Sequence, residues 1–273
     1  MSLPGVLTVF TELAAIPSPS GDEREAADRV GDYVRELGLS VDEDDTGARI
    51  GATAGNLLAR VEATEAGGVP LFFCAHLDTV PPEGALEPVV ADDVVRNGAA
   101  TILGADNKAA VAVMLAAVAR CLEERRPHAG IELLFTPKEE VGLLGASAFD
   151  HRRLRAGVGY VYDQAAPIGD VVLGAPHAQA LEVRFRGRAS HSGMYPEEGR
   201  SAIAAAARAI ADLRLGRIDE ETTANVGVIA GGTAGNIVPE SCTFLAEARS
   251  HDEQKLGEVV QEMLDSFSFA ATV

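Results

Sequence analysis

The sequence has few basic residues: 23 Lys and Arg stand against 41 Asp and Glu, which gives a formal net charge of −18 at pH 7. A protein that binds nucleic acid or an anionic membrane surface needs positive charge to neutralise phosphate groups. The composition therefore argues against both kinds of partner. The acidity itself is typical of a well-solvated surface and does not identify a substrate.

Cysteine is also scarce, and export and membrane-spanning signals are lacking. Cys74, Cys121 and Cys242 are widely spaced and flanked by apolar residues, which indicates small core residues rather than a disulfide framework. No Lys or Arg precedes Arg24, so the basic start of a secretory signal is missing. The longest uncharged apolar run, 109–119, is shorter than the roughly 20 residues that cross a bilayer. These features predict a soluble, cytoplasmic protein.

The first part of the chain alternates short apolar runs with helical segments. The predicted elements are strands at 69–74, 131–136 and 158–162 and an Ala-rich helix at 107–124. Nearer the N-terminus, Ser20 and Glu23 form a capping-box pattern for an amphipathic helix that ends at Gly38. This alternation predicts an α/β fold with a mixed sheet flanked by helices.

The pattern changes after Asp170, and Gly and Pro interrupt the chain near Gly174–Pro176. The elements predicted beyond this point are strands at 180–186, 225–229 and 243–248 and helices at 201–213 and 251–267. Their order predicts a smaller α+β domain in which helices cover one face of the sheet. We therefore predict one domain over residues 1–174 and a second over residues 175–273.

Acidic residues and one histidine follow the predicted strands of the first domain. They are His76, Asp78, Glu139, Glu140 and Asp163, and Asp106 joins them at the start of the Ala-rich helix. The carboxyl ends of the strands in an open α/β sheet line one crevice, so these side chains should converge. Five carboxylates and a histidine in one crevice would repel each other unless a cation were bound. The pattern predicts a metal site.

Each of these residues has a simpler explanation when it is taken alone. A histidine after a strand is more often a hydrogen-bonded loop residue than a ligand. Adjacent glutamates, such as Glu139 and Glu140, usually form a solvated turn, and Asp106 would suit a helix N-cap. Their shared placement at strand ends favours the metal site over coincidence.

Six sequence blocks follow one another along the chain: Phe72–Pro82 (FFCAHLDTVPP), Gly104–Ala112 (GADNKAAVA), Thr136–Ala146 (TPKEEVGLLGA), Tyr162–Gln164 (YDQ), Ala189–Gly193 (ASHSG) and Gly235–Glu240 (GNIVPE). In this order they resemble the M20 family of metallopeptidases, and within it the peptidase T-like tripeptidase and aminopeptidase branch. The resemblance implies a catalytic α/β domain with two metal ions. It also implies a smaller lid domain, of the dimerisation type, inserted into the catalytic domain.

The resemblance implies metal-binding roles for four residues. His76 and Asp163 would bind one ion, Glu140 would bind the second, and Asp106 would bridge the two. Zinc suits this set of histidine and carboxylate ligands, and cobalt and manganese accept the same set.

The resemblance also implies two catalytic roles beside the metal. Glu139 would be the general base that takes a proton from metal-activated water. Asp78 would hold the His76 ring by accepting a hydrogen bond from the ring nitrogen that does not bind metal.

Three residues of the second domain match family positions that contact the substrate. His191 would polarise the substrate carbonyl, often across a dimer interface, while Asn236 and Arg249 would hold the substrate's terminal carboxylate. Taken alone, these would be a loop imidazole, a turn residue and a strand-end residue. The implied partners are a short peptide and, through the lid, a second copy of the chain.

Family members continue beyond the lid and return to the catalytic domain, where a further histidine completes the second metal site. This sequence stops at Val273, and no histidine follows His251. We therefore expect a catalytic domain without its C-terminal return, an incomplete lid and a weakly held second ion.

Together these observations predict a metal-dependent exopeptidase that hydrolyses short peptides with two zinc ions and a glutamate general base. Two alternatives remain open. One is an amidohydrolase that removes the acyl group from N-acyl amino acids, and the other is a non-catalytic binding module.

Overall fold

The computed structural model describes residues 3–92, 94–165 and 167–272, which belong to two compact units, residues 1–166 and 167–273. The predicted boundary between residues 174 and 175 lies in an irregular segment, 167–176, at the start of the second unit. Each unit has its own buried core. No helix in the described ranges is both long and apolar enough to cross a membrane.

The first unit is built around a five-stranded mixed sheet. The strands of this unit are β1 (Val41–Glu43), β2 (Leu57–Val61), β3 (Leu71–His76), β4 (Pro88–Ala91), β5 (Val94–Asn97), β6 (Ile131–Thr136) and β7 (Val158–Val161). The main sheet has the order β1-β2-β6-β3-β7, and β4 and β5 form a separate antiparallel pair. Because β3 runs parallel to β6 and β7 while β2 runs antiparallel to β6, the predicted mixed sheet is confirmed.

Helices cover this sheet, as the α/β prediction requires. They are α1 (Val6–Ala14), α2 (Arg24–Glu36), α3 (Thr46–Ile50), α4 (Ala105–Glu123) and α5 (Leu144–Ala148), with a 3₁₀ turn at His151–Arg153. Apolar residues of α1, α2 and α4, among them Leu13, Val34 and Leu115, are buried in one core with residues of β2, β3 and β6. Burial of this apolar surface is the main force that fixes the helices against the sheet.

The start of α2 differs from the predicted capping box. The helix begins at Arg24 without a side-chain cap in the described structure. Ser20 Oγ instead donates a hydrogen bond to Asp78 Oδ2 at 2.7 Å, and Glu23 Oε1 accepts the Gly21 N–H at 2.6 Å. The prediction was wrong because a buried carboxylate far along the chain competes for the serine hydroxyl.

The second unit is the smaller α+β unit that the sequence predicts. Its elements are β8 (His177–Arg186), a 3₁₀ turn at Pro196–Glu198, α6 (Ala202–Ala211), β9 (Gly216–Arg217), β10 (Thr222–Gly231), β11 (Ser241–Ser250) and α7 (Glu253–Ala270). The strands form an antiparallel sheet of order β8-β11-β10-β9. Both helices pack on this sheet over a core that includes Phe185, Phe244 and Phe267.

Two of the three cysteines agree with the sequence interpretation as small core residues. All three are free thiols in the described part of the chain, and Cys74 and Cys242 are buried among apolar residues while Cys121 is partly exposed. Burial raises the pKa of the Cys74 thiol to about 12, so this side chain behaves as a small apolar core residue.

Candidate metal centre

Three parallel strands that lie side by side end at the same edge of the first unit's sheet. His76 is the last residue of β3, Glu139 and Glu140 follow β6, and Asp163 follows β7. The register places His76 opposite Thr136, the last residue of β6. The strands therefore deliver these side chains to one edge, as their positions in the sequence predict.

The atoms that could bind metal form two overlapping groups that share His76. In one group, a ring nitrogen of His76 and carboxylate oxygens of Asp106 and Asp163 all lie within 4.8 Å of one another, and in the other the same holds for His76, Glu139 and Glu140. His76 Nε2 lies 3.1 Å from Asp106 Oδ1, 3.8 Å from Asp163 Oδ1 and 3.9 Å from Glu139 Oε2. The structure thus brings together all the predicted ligands and the predicted general base.

The orientation of the buried His76 ring is set by its other nitrogen. Nδ1 lies 2.8 Å from the backbone carbonyl oxygen of Asp78. A carbonyl oxygen can only accept a hydrogen bond, so Nδ1 carries a proton. In the neutral ring the lone pair is then on Nε2, which faces the carboxylates, and this is the form that a metal ligand needs.

The contact between His76 and Asp78 differs in one detail from the prediction. The Asp78 carboxylate was expected to accept from the ring, but its Oδ1 lies 3.4 Å from Nδ1, and the backbone carbonyl of the same residue is the nearer acceptor.

The Asp78 carboxylate has a different set of donors, which the sequence did not reveal. It is fully buried and accepts the Glu139 N–H at 2.9 Å and the Glu140 N–H at 3.2 Å, in addition to the Ser20 hydroxyl. Burial alone would raise the pKa of Asp78, but the His76 ring and these donors hold it below its usual range. Asp78 therefore stays ionised and fixes the backbone of both glutamates.

Electrostatics at the sheet edge favour a bound cation. Burial, with repulsion among neighbouring carboxylates, raises the pKa of Glu139, Glu140 and Asp163. Burial would lower the pKa of His76, but the carboxylates of Asp78, Asp163 and Glu139 raise it to about 9. A proton on His76 thus offsets part of the negative charge of the carboxylates, and a divalent cation would offset more of it. The nitrogen and oxygen donors of the cluster fit zinc.

Asp106 reaches the cluster from an irregular helix start. Gly104 precedes α4 with φ of 71°, a left-handed conformation that glycine adopts without strain, and Asp106 itself has non-helical angles. The Asp106–Asn107 peptide bond is cis. The hydrogen-bond contact that the described structure gives to the Asp106 side chain is with His76 Nε2 rather than with a backbone N–H of α4, which favours the ligand role over an N-cap.

In the second unit the structure brings two of the three predicted substrate-binding residues together. The segment around His191 pairs with the loop between β10 and β11, where His191 forms a bridge with Ile237 and the Ser192 N–H donates to the Asn236 carbonyl at 3.0 Å. Arg249 lies near the far end of β11, where its side chain is paired with Glu247 at 2.9 Å. Since a strand rises about 3.3 Å per residue, roughly 26 Å of strand separates Arg249 from this loop.

Asn236 and Arg249 of one chain therefore lie too far apart to contact the same carboxylate. They lie at opposite ends of one strand because the hairpin that joins β10 to β11 carries Asn236, whereas Arg249 is the penultimate residue of β11.

Comparison with known proteins gives matches over both units. The model of the peptidase dimerisation domain (M20_dimer) matches residues 176–271, and the model of peptidase family M28 matches residues 56–168. The crystal structure of aminopeptidase PepT from Bacillus cereus is 40% identical with a TM-score of 0.85, and the match covers 98% of this chain and 72% of that one. The crystal structure of a tripeptidase from Staphylococcus aureus is 37% identical with a TM-score of 0.90, and the match covers 98% of this chain and 71% of that one.

Two further relatives widen the comparison. The uncharacterised protein YqjE of Bacillus subtilis is 40% identical over 97% of this chain and 71% of its own length. A probable carboxypeptidase of Arthroderma otae is 31% identical over 89% of this chain and 58% of its own length. This chain therefore spans only part of the length of each relative.

Proposed function

The chain belongs to the M20 family of peptidases, and from this premise we propose that it is a metal-dependent exopeptidase that acts on short peptides. Two of the relatives at 37–40% identity are an aminopeptidase and a tripeptidase, which support short peptides with a free N-terminus as substrates. The observation that carries the proposal is the pair of overlapping ligand groups at the end of β3, β6 and β7. A cytoplasmic location is part of the same proposal.

The two groups support a site for two zinc ions. His76 and Asp163 would hold one ion and Glu140 the other, and Asp106, whose Oδ1 is 3.1 Å from His76 Nε2, is the residue that we propose serves both. Bound zinc would supply an activated water and polarise the scissile carbonyl.

Glu139 is the residue that we propose as the general base. Its Oε2 lies 3.9 Å from His76 Nε2, and its backbone is fixed by Asp78, so its carboxylate faces the ligand cluster from a fixed loop. It would take a proton from the attacking water and deliver it to the amine that leaves. Burial and neighbouring carboxylates raise the pKa of Glu139, and a base whose pKa lies closer to neutrality transfers protons in both directions more readily.

The direction of exopeptidase action can be tested with one tripeptide made of three different residues. We expect release of the N-terminal residue and a C-terminal dipeptide, identified by mass spectrometry, when zinc is supplied. Release of the C-terminal residue first would instead support the activity named for the Arthroderma otae relative. Zinc-dependent turnover of N-acyl amino acids without peptide cleavage would contradict the proposal.

The second unit supports a substrate site shared between two copies of the chain. His191 and Asn236 lie at one end of β11 and Arg249 at the other, so a single short peptide cannot contact all three within one copy. A homodimer in which one copy supplies His191 and Asn236 and the other supplies Arg249 removes this conflict. The match to the peptidase dimerisation domain supports that assembly.

Replacing Arg249 by Ala is expected to raise KM for peptides with a free terminal carboxylate by roughly 10- to 100-fold more than for amidated peptides. A hydrogen bond to a charged group contributes about 1.5–3 kcal/mol, which corresponds to a change of that size. Only the free carboxylate can pair with the guanidinium. Steady-state kinetics with matched free and amidated peptides measures the difference.

Arg184→Ala is the matched control for this variant. Arg184 lies in a strand of the same sheet and pairs with Glu182 two residues away, as Arg249 pairs with Glu247. The control should change neither KM. Equal effects of Arg249→Ala on the KM of both peptides would make Arg249 structural. In a mixture of Asn236→Ala chains with Arg249→Ala chains, a mixed dimer has one site with both residues intact and should regain activity. No regain of activity would contradict the shared site.

A further inference from the structure

The loop that follows β6 is held by two buried carboxylates. Three consecutive backbone N–H groups donate to them: Lys138 N to Glu23 Oε1 at 3.2 Å, Glu139 N to Asp78 Oδ1 at 2.9 Å and Glu140 N to Asp78 Oδ2 at 3.2 Å. The contact with Asp78 belongs to the cluster already described. The contact with Glu23 joins the start of α2 to a loop more than a hundred residues further along the chain.

This loop needs support from its surroundings. Lys138 has φ of 54° and Leu143 has φ of 59°, in the left-handed region that residues with side chains rarely adopt. Such conformations persist only where neighbouring groups hold them, and they concentrate at functional sites. The Lys138 side chain contributes one restraint by donating to the Ile50 carbonyl at 3.1 Å, and Glu23 restrains the backbone of the same residue.

Glu23 is unusual among the buried carboxylates of the first unit. Its side chain is fully buried, Oε1 accepts two backbone N–H groups, and Oε2 has no hydrogen-bond partner among the described residues. Burial raises its pKa. By contrast, the buried Glu132 is paired with Arg60 at 2.8 Å and accepts the N–H groups of Arg155 and Ala156.

A buried carboxyl group without a cation is costly, and an apolar side chain of similar volume would avoid that cost. What Glu23 supplies that an apolar residue could not is an acceptor for the N–H of Lys138, next to Glu139. Neighbouring contacts reinforce this connection, because Ser18 Oγ donates to the Leu77 carbonyl at 2.8 Å and Ser20 donates to Asp78. The segment before α2 thus contacts both the end of β3 and the loop after β6.

We propose that Glu23 is a positioning residue for the hydrolytic site: by accepting the Lys138 N–H, it fixes the loop that presents Glu139 and Glu140. Glu23 makes no contact with substrate in this role. The inference rests on the proposed function for its catalytic consequence, while the restraint on the loop can be measured without any activity.

The restraint is tested by amide hydrogen exchange in Glu23→Ala, Glu23→Gln and the unchanged chain. We expect Glu23→Ala to speed exchange in peptides that cover 137–143 by at least about tenfold, with no change in β6. Glu23→Gln should stay near the unchanged chain, because its amide oxygen accepts the same two N–H groups. Unchanged exchange in 137–143 for Glu23→Ala would overturn the proposal.

The catalytic consequence is tested by kinetics on the same variants, with zinc content measured in parallel. Glu23→Ala is expected to lower kcat at least tenfold with little change in KM, whereas Glu23→Gln should retain most of kcat. The control Glu132→Ala removes another buried carboxylate of the first unit. It should lower the melting temperature but leave kcat unchanged when kcat is measured below that temperature. A kcat loss in Glu132→Ala equal to that in Glu23→Ala would reduce Glu23 to a structural residue.

A shorter side chain at residue 23 and the activity of the unchanged chain provide two further tests. If Glu23→Ala does not fold, Glu23→Asp replaces it, because its shorter side chain cannot reach the Lys138 N–H. Glu23→Asp should then have a lower kcat than Glu23→Gln. A lower kcat in Glu23→Gln than in Glu23→Asp would overturn the proposal. If the unchanged chain cleaves no peptide while exchange in 137–143 responds to Glu23→Ala, the proposed function fails and the positioning role stands.

Discussion

Replacing Glu139 by Gln is expected to lower kcat for peptide hydrolysis by about 10²–10⁴-fold while bound zinc stays nearly unchanged. Gln has the same shape and keeps the hydrogen bond from its backbone N–H to Asp78 Oδ1. An amide, however, cannot accept the proton of the attacking water at neutral pH. Turnover of a short peptide and elemental analysis of the same sample measure the two quantities together.

Glu140→Gln is the matched control, since the neighbouring N–H donates to the other oxygen of the same Asp78 carboxylate. This variant should lose zinc, because a neutral amide is a far poorer ligand than a carboxylate. Both glutamates lie in one ligand group with His76, so the geometry alone admits either assignment. Zinc loss in Glu139→Gln with zinc retained in Glu140→Gln would show that the two roles are exchanged.

Replacing Asp106 by Ala is expected to deplete both zinc ions and to reduce hydrolysis to the background rate. A bridging carboxylate serves each ion, and Asp106 Oδ1 is also the carboxylate oxygen nearest to His76 Nε2, at 3.1 Å. Zinc stoichiometry from elemental analysis, together with peptide turnover, measures the effect. Two ions retained per chain would rule out the bridge.

The fold should survive this substitution, which makes the result interpretable. The Asp106 side chain is 70% exposed. Circular dichroism of Asp106→Ala should therefore match that of the unchanged chain. Asp45→Ala, which removes an exposed carboxylate at the start of α3, is a control that should lose neither zinc nor activity.

Periodicity and strand-end position were sufficient to predict most of the architecture. The strand at 131–136 was predicted with its observed bounds, and the predicted strands and helices of the second unit overlap those observed. The sequence analysis did not predict β1, β2, β4, β5 or β9, nor the helices α1, α3 and α5. Of these, β1 and β9 have three and two residues and therefore too little pattern to recognise. The predicted N-cap at Ser20 failed because local rules cannot account for a partner 58 residues away.

The candidate site shows the same division between local and distant information. The convergence of His76, Glu139, Glu140 and Asp163 follows from parallel strands that end at one edge of the sheet, which the alternation of strands and helices predicts, and Asp106 joins them from the start of α4. The bonds from Glu139 and Glu140 to Asp78 could not be predicted, because they join backbone atoms of one loop to a side chain 61 and 62 residues away. Sequence blocks likewise gave no measure of how far β11 separates Asn236 from Arg249.

The parallel pairing of β3 with β6 and β7 sets the order in which the metal centre can be assembled on the ribosome. Roughly 90 residues lie between His76 and Asp163, and at about 5–20 residues per second their synthesis is separated by several seconds or more. During this interval the nascent chain carries the histidine without its last carboxylate partner. The group of His76, Asp106 and Asp163 is therefore complete only after β7 has emerged, whereas the group of His76, Glu139 and Glu140 is complete once the loop after β6 has emerged.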